Sequence, residues 1–371
     1  MSQLPTIHDV ARLAGVSRQT VSNVINAPEV VRIATRERVE EAIRELGYRP
    51  HASARRLRTR ARASSAIGVR LDPMPNGVSG AVHDRFLHDL TERAGSRGMR
   101  IVLYTADEPQ REIEELRDLR NRADVDAFVL IGDAHGDPRV EWLERERIPF
   151  VSFGRPSGAP DATEPHRLWV DVDGRSGTAL ATRHLLERGH QRIGFVGWPA
   201  GSRTGEDRRA GWHDAMRAAF PALSGAVLDR LAIETVDSAG PARTAVKQRI
   251  AADPRLEALV CVNDSVALGA LMAVREAGRA ELPVVGFDDT PVAEAIGLSS
   301  VDPRLDEVAG AIIELLMGQS GHRVLPHASA TRDAAHRLIT PRLVVRRSTR
   351  LALAEKVEDS ALGHRLWKED P

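Results

Sequence analysis

From residue 66 onward, short apolar runs alternate with longer amphipathic segments. The runs are AIGVRL, MRIVLY, DAFVLI, IPFVSF, RIGFVG, ALVCV and LPVVGF. They lack the strict alternation of a half-exposed strand, so they indicate strands buried on both faces of a parallel sheet. The segments between them, such as QREIEELRDLRNRA and SVALGALMAVREAG, have helical periodicity. The strands are too many for one compact open sheet, and we therefore predict an α/β domain of two parallel-sheet subdomains.

The composition limits the class of protein. Hydrophobic residues make up 42% and charged residues 28% of the chain, which is typical of globular proteins. The single cysteine, Cys261, excludes a disulfide framework and a multi-cysteine metal site. The chain has no apolar run of about 18 residues and no apolar core of a signal peptide near its start. We therefore expect a soluble, cytoplasmic protein with no membrane partner.

The beginning of the chain, TIHDVARLAGVSRQTVSNVIN, is organised differently. Thr6 and Asp9 form the start signal of a helix, and Gly15 is suited to end it. Ser17 is suited to cap a second helix. The apolar side chains expected on the inner faces of these two helices are Ile7, Val10, Leu13, Ala14, Val21, Val24 and Ile25.

A third helix is predicted at about residues 35–46, and three short helices with a tight glycine turn form a helix-turn-helix. In that motif the second helix enters the major groove of DNA, where Arg suits guanine and Gln or Asn suits adenine. Arg18, Gln19 and Asn23 are the candidates for base reading. The candidates for phosphate contacts are Ser17, Thr20, Ser22 and Asn26. The helical pattern alone equally allows a small bundle with a polar face.

The net charge of zero conceals an asymmetry along the chain. Residues 1–62 contain 12 Arg, no Lys and 6 acidic residues, a balance of +6, so the remainder carries −6. The excess is greatest in YRPHASARRLRTRAR, which has 6 Arg and no acidic residue. A basic end on an acidic chain indicates a polyanionic partner, although charge alone also fits a solvated linker.

The stretch DVARLAGVSRQTVSNVIN, with TRERVEEAIRELGYRPHASARRLRT after it, resembles the DNA-binding headpiece of the LacI/GalR (lactose-repressor) family of transcriptional regulators. The resemblance continues to about PRLVVRRST. It implies that Arg18, Gln19 and Asn23 occupy the base-reading positions. It also implies a hinge helix at about residues 51–59, which forms when two subunits sit on an operator. The further DNA-binding positions implied are Thr6, Ala54, Arg55 and Leu57.

Leu57 matches the leucine of the family that wedges into a base step of the minor groove. An apolar wedge unstacks bases and bends the duplex, while nearby arginines hold phosphates. Without the resemblance, Leu57 would be an ordinary linker leucine. A helix this short is unstable by itself in water, so its folding can act as a switch.

For the large domain, the resemblance implies the fold of periplasmic sugar-binding proteins, with a ligand between two lobes and chain crossings near Val170, Val301 and Pro326. The predicted fold is therefore a small all-α helix-turn-helix headpiece followed by a two-lobed α/β effector domain. The expected domains are residues 1–62 with the hinge helix, residues 63–346 for effector binding and dimerisation, and a C-terminal tail at 347–371.

Ligands of open α/β sheets lie beyond the carboxyl ends of the strands, so the loops there supply the candidate effector-binding residues. By the resemblance, Arg208 matches an effector-contacting arginine, Asp288 a carboxylate that accepts from effector hydroxyls, and Asn263 a ligand position. The remaining candidates are Trp198, which suits stacking on a sugar ring, Thr204, Arg155 and Asp72. The same side chains also fit roles without a ligand. Arg208 could be an exposed helix arginine, Asp288 a capping or turn residue, and Trp198 a residue that serves only packing.

Two departures from the family pattern affect the first lobe. The loop LDPMPNGVSGAVHDRF lacks the usual Asn-Pro-Phe-Phe, and VDPRLDE stands where many members carry Arg-Gln-Pro. The contribution of that lobe to the site is therefore the hardest to place from the sequence.

We find no nucleotide-binding loop, nucleophile elbow or His ligand spacing, so the sequence indicates neither an enzyme nor a cofactor or metal. The predicted function is a DNA-binding transcriptional regulator, a repressor of carbohydrate-utilisation genes. A sugar between the lobes controls it, and a homodimer binds double-stranded, pseudo-palindromic operator DNA. The alternatives are a regulator with a non-sugar effector such as a nucleobase, and a sugar-binding protein with no role in transcription.

Overall fold

In the computed structural model, the chain forms two compact units. The first contains Met1–Ser65 and the second begins at Ala66. The residues that the structure describes are 7–26, 30–46, 66–71, 80–106, 108–122, 125–132, 136–156, 167–320 and 335–350. The predicted boundary after residue 62, the hinge segment at 51–59 and most of the predicted tail lie outside these ranges.

The described part of the first unit forms three helices, as predicted. They are α1 (Ile7–Leu13), α2 (Arg18–Asn26) and α3 (Ile33–Leu46). Gly15 makes the turn between α1 and α2 with a left-handed φ of 62°. Ser17 caps α2, since its Oγ accepts from the backbone N–H of Thr20 at 3.1 Å. The helices enclose a small core in which Val10, Val21 and Val39 are fully buried.

Leu13 does not face this core, and its predicted inward position is wrong. It is 46% exposed, whereas Val10, Ala11 and Ala14 are buried. Successive helical residues turn by about 100°, so a face centred on Val10, Ala11 and Ala14 leaves Leu13 at its edge.

The second unit has two lobes, each built on a six-stranded sheet. The first sheet has the order β11-β5-β4-β3-β1-β2, and all its neighbouring strands are parallel. Its strands are β1 (Ala66–Arg70), β2 (Arg100–Tyr104), β3 (Val125–Ile131), β4 (Phe150–Phe153), β5 (Trp169–Val172) and β11 (His336–Ile339). The helices of this lobe are α4 (Gly80–Ser96), α5 (Pro109–Arg122), α6 (Pro138–Arg145) and α13 (Leu305–Ser320).

The second sheet has the order β12-β10-β9-β8-β6-β7 and is parallel except for β12, which runs antiparallel to β10. Its strands are β6 (Ile193–Gly197), β7 (Ala232–Glu234), β8 (Ala258–Cys261), β9 (Val284–Phe287), β10 (Ser299–Asp302) and β12 (Arg342–Val344). The helices of this lobe are α7 (Gly174–Leu186), α8 (Arg203–Ala219), α9 (Gly225–Leu231), α10 (Ala239–Ala252), α11 (Asp264–Glu276), α12 (Pro291–Ile296) and α14 (Arg347–Arg350).

Each apolar run of the sequence forms a strand, and two mostly parallel sheets confirm the predicted α/β class. Each lobe has its own hydrophobic core, with Phe86 and Leu90 fully buried in the first and Trp212 and Phe287 in the second. In the part of the chain that the structure describes, no helix is long and apolar enough to cross a membrane.

Along the residues that the structure describes, the chain passes between the lobes three times. The first two crossings follow β5 and β10, close to the predicted positions at Val170 and Val301. The third lies between β11 and β12, at residues 340–341, because α13 and β11 both belong to the first lobe. Pro326, near which the third crossing was expected, lies outside the described residues.

The close packing of α7 against α8 gives a stability prediction. A Cβ at Gly211 of α8 would overlap the backbone carbonyl oxygen of Arg175 on α7. We expect Gly211→Ala to push the helices apart and to lower the free energy of unfolding by about 1–3 kcal/mol, measured by urea denaturation.

Gly95→Ala is the matched control, because Gly95 is exposed on α4 and a Cβ there meets no atom within 4 Å. That substitution should be neutral or stabilise by up to about 1 kcal/mol. Equal unfolding free energies for Gly211→Ala and the unmodified chain would contradict the close approach of the two helices.

Candidate nucleic-acid interface and ligand cavity

Helix α2 presents the predicted base-reading side chains together. Arg18 and Gln19 are exposed, and the Gln19 side-chain amide donates to Oδ1 of Asn23 at 2.9 Å. The Arg18 guanidinium lies 3.3 Å from Nε2 of His8 on α1. The helix sequence RQTVSNVIN contains no acidic residue, and a helix N-terminus carries a partial positive charge. This face of α2 therefore suits a polyanion whose base edges offer both donors and acceptors.

The smaller polar side chains adjoin this face. The Ser17 and Thr20 hydroxyls lie 2.9 Å apart at the start of α2, and Ser22 is half-buried. Four predicted DNA-binding residues, Thr6, Ala54, Arg55 and Leu57, lie outside the described residues, as does the side chain of Asn26. Their roles stay predictions.

A cavity of about 450 Å³ lies between the two lobes of the second unit. The first lobe contributes the carboxyl ends of β3, β4 and β5, and the second contributes the start of α8 and the loop after β9. Its apolar lining consists of Val82, Ile131, Phe153, Val172, Pro303 and Leu305. Its charged lining consists of Arg155, Asp171, Arg203, Asp207, Arg208 and Asp288. A ligand with an apolar face and several hydroxyls matches such a lining.

Arg208 is buried as deeply as Asp288, with 8% of its surface exposed. Its Nη1 donates to the carbonyl of Val262 at 2.6 Å, and its Nη2 donates to Oδ1 of Asp288 at 3.3 Å. The guanidinium also covers the ring of Phe287, with Cζ 3.6 Å from the ring centroid. These contacts fix a planar cation at the wall of the cavity.

Asp288 follows β9 directly and has a left-handed φ of 104°. Its backbone N–H donates to the carbonyl of Val301 at 2.8 Å, which ties the loop to β10. Burial raises the pKa of Asp288 to about 7, and the nearby carboxylates of Asp264 and Asp237 also raise it, whereas Arg208 opposes the shift. At neutral pH this carboxyl group can therefore accept or donate a hydrogen bond to a hydroxylated ligand.

Arg155 joins the two lobes at the cavity. Its Nε donates to Oδ2 of Asp171 in the first lobe at 2.9 Å, and its Nη2 pairs with Asp207 on α8 of the second lobe. Arg203 of α8 adds a second link, since its Nη1 donates to the carbonyl of Pro156 at 3.3 Å. Burial raises the pKa of Asp207, and Arg155 opposes that shift.

Sequence reasoning missed Arg203, Asp207 and Asp171 as residues of the cavity. Arg203 and Asp207 lie four residues apart on α8 and face each other at 3.9 Å, but their other partners, Pro156 and Arg155, belong to the opposite lobe and leave no local pattern. The position of Asp207 beside Arg208, near the start of the helix after β6, was the one available signal.

The other predicted effector-binding residues lie in different places. Arg155, Thr204, Arg208 and Asp288 all line the cavity. Trp198 packs over Gly205 of α8 and is absent from the described cavity lining. Asn263 is also absent from it. Its Oδ1 caps α11 by accepting from Val266 N at 2.9 Å, and its Nδ2 donates to Oδ1 of Asp237 at 2.7 Å.

Asp72 lies outside the described residues. The structure therefore brings four of the seven candidates together, and the binding roles of all seven stay predictions. Within the described ranges, no group of three or more His, Cys, Asp or Glu side chains is arranged to hold a metal ion.

The raised pKa of Asp288 predicts a pH-dependent cost in stability. Its pKa is about 7 in the folded chain, against an ordinary value of 3.8, so folding favours the protonated form. The stability that this group contributes is present below about pH 4 and is lost as the pH rises through about 7. Relative to Asp288→Asn, the unmodified chain should lose up to about 1.4 kcal/mol per pH unit across that window.

Urea denaturation at a series of pH values measures this difference. Asp229→Asn, at an exposed position on α9, is the control and should run parallel to the unmodified chain. If the unfolding free energy of Asp288→Asn also ran parallel to that of the unmodified chain across this pH range, Asp288 would ionise as freely in the folded chain as in the unfolded one.

Known proteins resemble the chain in both units. Residues 6–51 match the sequence profile of bacterial regulatory proteins of the lacI family, and residues 182–349 match that of the periplasmic binding protein-like domain. The HTH-type transcriptional regulator CelR of Thermobifida fusca is 34% identical over 304 residues, which cover 78% of this chain and 84% of CelR.

Two solved structures show the same architecture along nearly the whole chain. The lac repressor dimer bound to operator and the anti-inducer ONPF has 25% sequence identity and a TM-score of 0.71, covering 94% of this chain and 100% of that chain. A complex of the transcriptional regulator CelR with cellobiose has 29% identity and a TM-score of 0.64, covering 93% of this chain and 99% of that chain.

The fold and the comparisons indicate the same family. The first unit has a helix-turn-helix, the second has two lobes on mostly parallel sheets, and one relative is about one-third identical along most of both chains. The chain belongs to the LacI family of bacterial regulatory proteins, which are DNA-binding transcriptional regulators.

Proposed function

We propose that this protein is a cytoplasmic repressor of carbohydrate-utilisation genes, and that a sugar bound between its lobes controls its affinity for operator DNA. The observation that carries the proposal is the cavity itself, which combines apolar walls with paired Arg and Asp side chains. A transcriptional regulator CelR that is 29% identical to this chain has been solved in complex with cellobiose, and the lac repressor has been solved as a dimer on its operator.

The chemistry of the cavity favours a neutral, polyhydroxylated ligand. Arg155 and Arg203 balance Asp171 and Asp207, and Arg208 balances Asp288, so these charges already have partners. A ligand with a net charge would upset that balance in a partly buried site, whereas sugar hydroxyls can donate to the carboxylates and accept from the guanidinium groups. Phe153 and Val172 offer apolar surface to the C–H face of a sugar ring.

On the DNA side, α2 supplies the base-reading face through Arg18, Gln19 and Asn23. A single short helix reads few base pairs, so two copies on a pseudo-palindromic operator double the readout. We propose a homodimer for this reason. In the proposed domain plan, residues 1–62 bind DNA, with Leu57 of the hinge as the minor-groove wedge, and residues 63–346 bind the effector.

The link between the two sites is a shift between two populations of the protein. Arg155 and Asp207 connect the lobes across the cavity, so a ligand that fills it changes the surroundings of that contact. The resulting difference in lobe packing would favour or disfavour folding of the hinge at about residues 51–59. A coupling free energy on the order of 1–3 kcal/mol is sufficient.

Replacement of Arg18 by Ala tests the DNA-binding part. Duplexes that the full chain enriches from a random pool serve as specific DNA, and scrambled duplexes serve as nonspecific DNA. Arg18→Ala should weaken specific binding by about 1–3 kcal/mol, since one bidentate base contact is lost, and should leave nonspecific binding nearly unchanged.

Arg12→Ala is the control for this measurement, because Arg12 is exposed on α1 and pairs with Asp9. Equal losses on specific and scrambled duplexes would make Arg18 a phosphate contact and would refute its base-reading role.

Replacement of Arg208 by Ala tests the effector site. A panel of mono- and disaccharides that includes cellobiose, with purine bases as a second class, is screened by thermal shift at fixed concentration. A ligand that binds the folded state raises the melting temperature, and Arg208→Ala should abolish that rise because it removes the fixed cation of the cavity wall. DNA binding by Arg208→Ala should persist.

Arg209→Ala is the matched control, since Arg209 is the next residue on α8 but pairs with the exposed Asp229 outside the cavity. A thermal response of Arg208→Ala equal to that of the unmodified chain would remove Arg208 from the site. Stabilisation by purine bases alone would replace the sugar with a nucleobase effector.

A further inference from the structure

Behind the wall of the cavity lies a buried carboxylate, that of Asp264. It is the first residue of α11, is 2% exposed, and is absent from the described cavity lining. It accepts three hydrogen bonds, from Ser300 Oγ at 2.6 Å, from Thr290 N at 2.8 Å and from Thr290 Oγ1 at 2.9 Å. A role as helix cap does not explain these contacts, because Asn263 caps α11.

The loop that Asp264 holds is backbone-strained. Asp288 and Asp289 have φ values of 104° and 49°, two consecutive non-glycine residues with left-handed φ. Such a conformation costs free energy and persists only where the surroundings over-determine it. The loop must therefore be anchored on both sides.

Several of the anchors converge on Asp264, while the Asp289 carboxylate pairs separately with Arg346 at 2.6 Å. Thr290 donates to Asp264 through both its backbone and its hydroxyl. The N–H of Asp289 donates to Ser300 Oγ at 3.0 Å, and the same hydroxyl donates to Asp264. The backbone N–H of residue 290 is thus held by Asp264 directly, and that of residue 289 is held through the Ser300 hydroxyl. The N–H of residue 288 donates to the carbonyl of Val301.

The neighbouring strand is shaped to admit this carboxylate. A Cβ at Gly286 of β9 would overlap Oδ1 of Asp264, so a larger residue there would displace the side chain. Burial raises the pKa of Asp264 to about 6, and its hydrogen bonds with Ser300 and Thr290 oppose the shift. At neutral pH the group is therefore mainly ionised and can accept all three hydrogen bonds.

We propose that Asp264 is a positioning residue for effector recognition, which holds residues 288–290 in their left-handed conformation and thereby aims the Asp288 carboxyl at Arg208 and the cavity. Asp264 acts through Asp288 and does not touch the ligand. The link to effector recognition rests on the proposed function, whereas the control of the loop conformation does not.

Hydrogen exchange measured by mass spectrometry on the full-length protein tests the control of the loop, with no ligand present. Asp264→Asn keeps the shape of the side chain and removes its charge and one acceptor. We expect the amide hydrogens of residues 288–290 to exchange at least tenfold faster at constant pH, while β6 and β8 of the same lobe stay protected as before.

Asp253→Asn is the matched control, because Asp253 is also a buried carboxylate of the second lobe and accepts from Arg192 Nε at 2.7 Å. It should leave exchange at residues 288–290 unchanged. Unchanged exchange there in Asp264→Asn would overturn the proposal, and so would equal acceleration throughout the lobe, which would make Asp264 a general stabiliser.

A pair of variants at Thr290 separates hydrogen bonding from packing. Thr290→Ser keeps the hydroxyl that donates to Asp264, and the amides of Asp288 and Asp289 should exchange as in the unmodified chain. Thr290→Val keeps the shape without the hydroxyl, and both amides should exchange several-fold faster. The same exchange rates in the two variants would contradict the proposal, and this pair also serves if Asp264→Asn does not fold.

These outcomes are distinguishable from a failure of the proposed function. If no sugar or purine stabilises the protein but Asp264→Asn releases the loop, the effector assignment fails and the structural role of Asp264 stands. If a sugar stabilises the protein and the loop exchanges normally in Asp264→Asn, the effector assignment stands and Asp264 is not a positioning residue.

Discussion

The ion pair between Arg208 and Asp288 is the interaction on which the second lobe's side of the cavity depends. Both side chains are more than nine-tenths buried, and a charge at that depth needs a partner because water cannot solvate it there. The residues around the pair hold the two charges together. Phe287 lies beneath the guanidinium, and the backbone after β9 takes a strained conformation that brings Asp288 into place. A site built this way is pre-organised before any ligand arrives, and the raised pKa of Asp288 records what that arrangement costs in stability.

A second set of charged side chains connects the first lobe to the second lobe at the cavity. Arg155 reaches across the cavity to Asp207, and both side chains lie where a ligand would sit. This contact joins the two lobes and also lines the cavity. A bound ligand would therefore act directly on the interaction that sets how the lobes are arranged. Differential affinity for two lobe arrangements is all that control of DNA binding requires, and it permits either release or recruitment of DNA by the effector.

Most strands could be predicted from the sequence because each is a short continuous run of mainly apolar residues. Strand β10, Ser299–Asp302, could not, since its polar side chains are buried through hydrogen bonds to distant residues, such as Ser299 with Thr349 and Ser300 with Asp264. The same limit applies to the site. Arg208 and Asp288 were identified because family motifs surround them. The pairing of Asp207 with Arg155, and of Asp264 with Thr290, joins segments far apart in sequence and leaves no local pattern.

The coupling between the two ligands tests the account most directly. The affinity of the full chain for a duplex selected from a random pool would be measured by fluorescence anisotropy at fixed salt, with and without the sugar that stabilises the protein most. The affinity for that sugar would then be measured with and without the duplex. Because linkage is reciprocal, the account predicts one shared factor of roughly 5–150 in both directions. A factor of one in both, with both ligands bound, would contradict it.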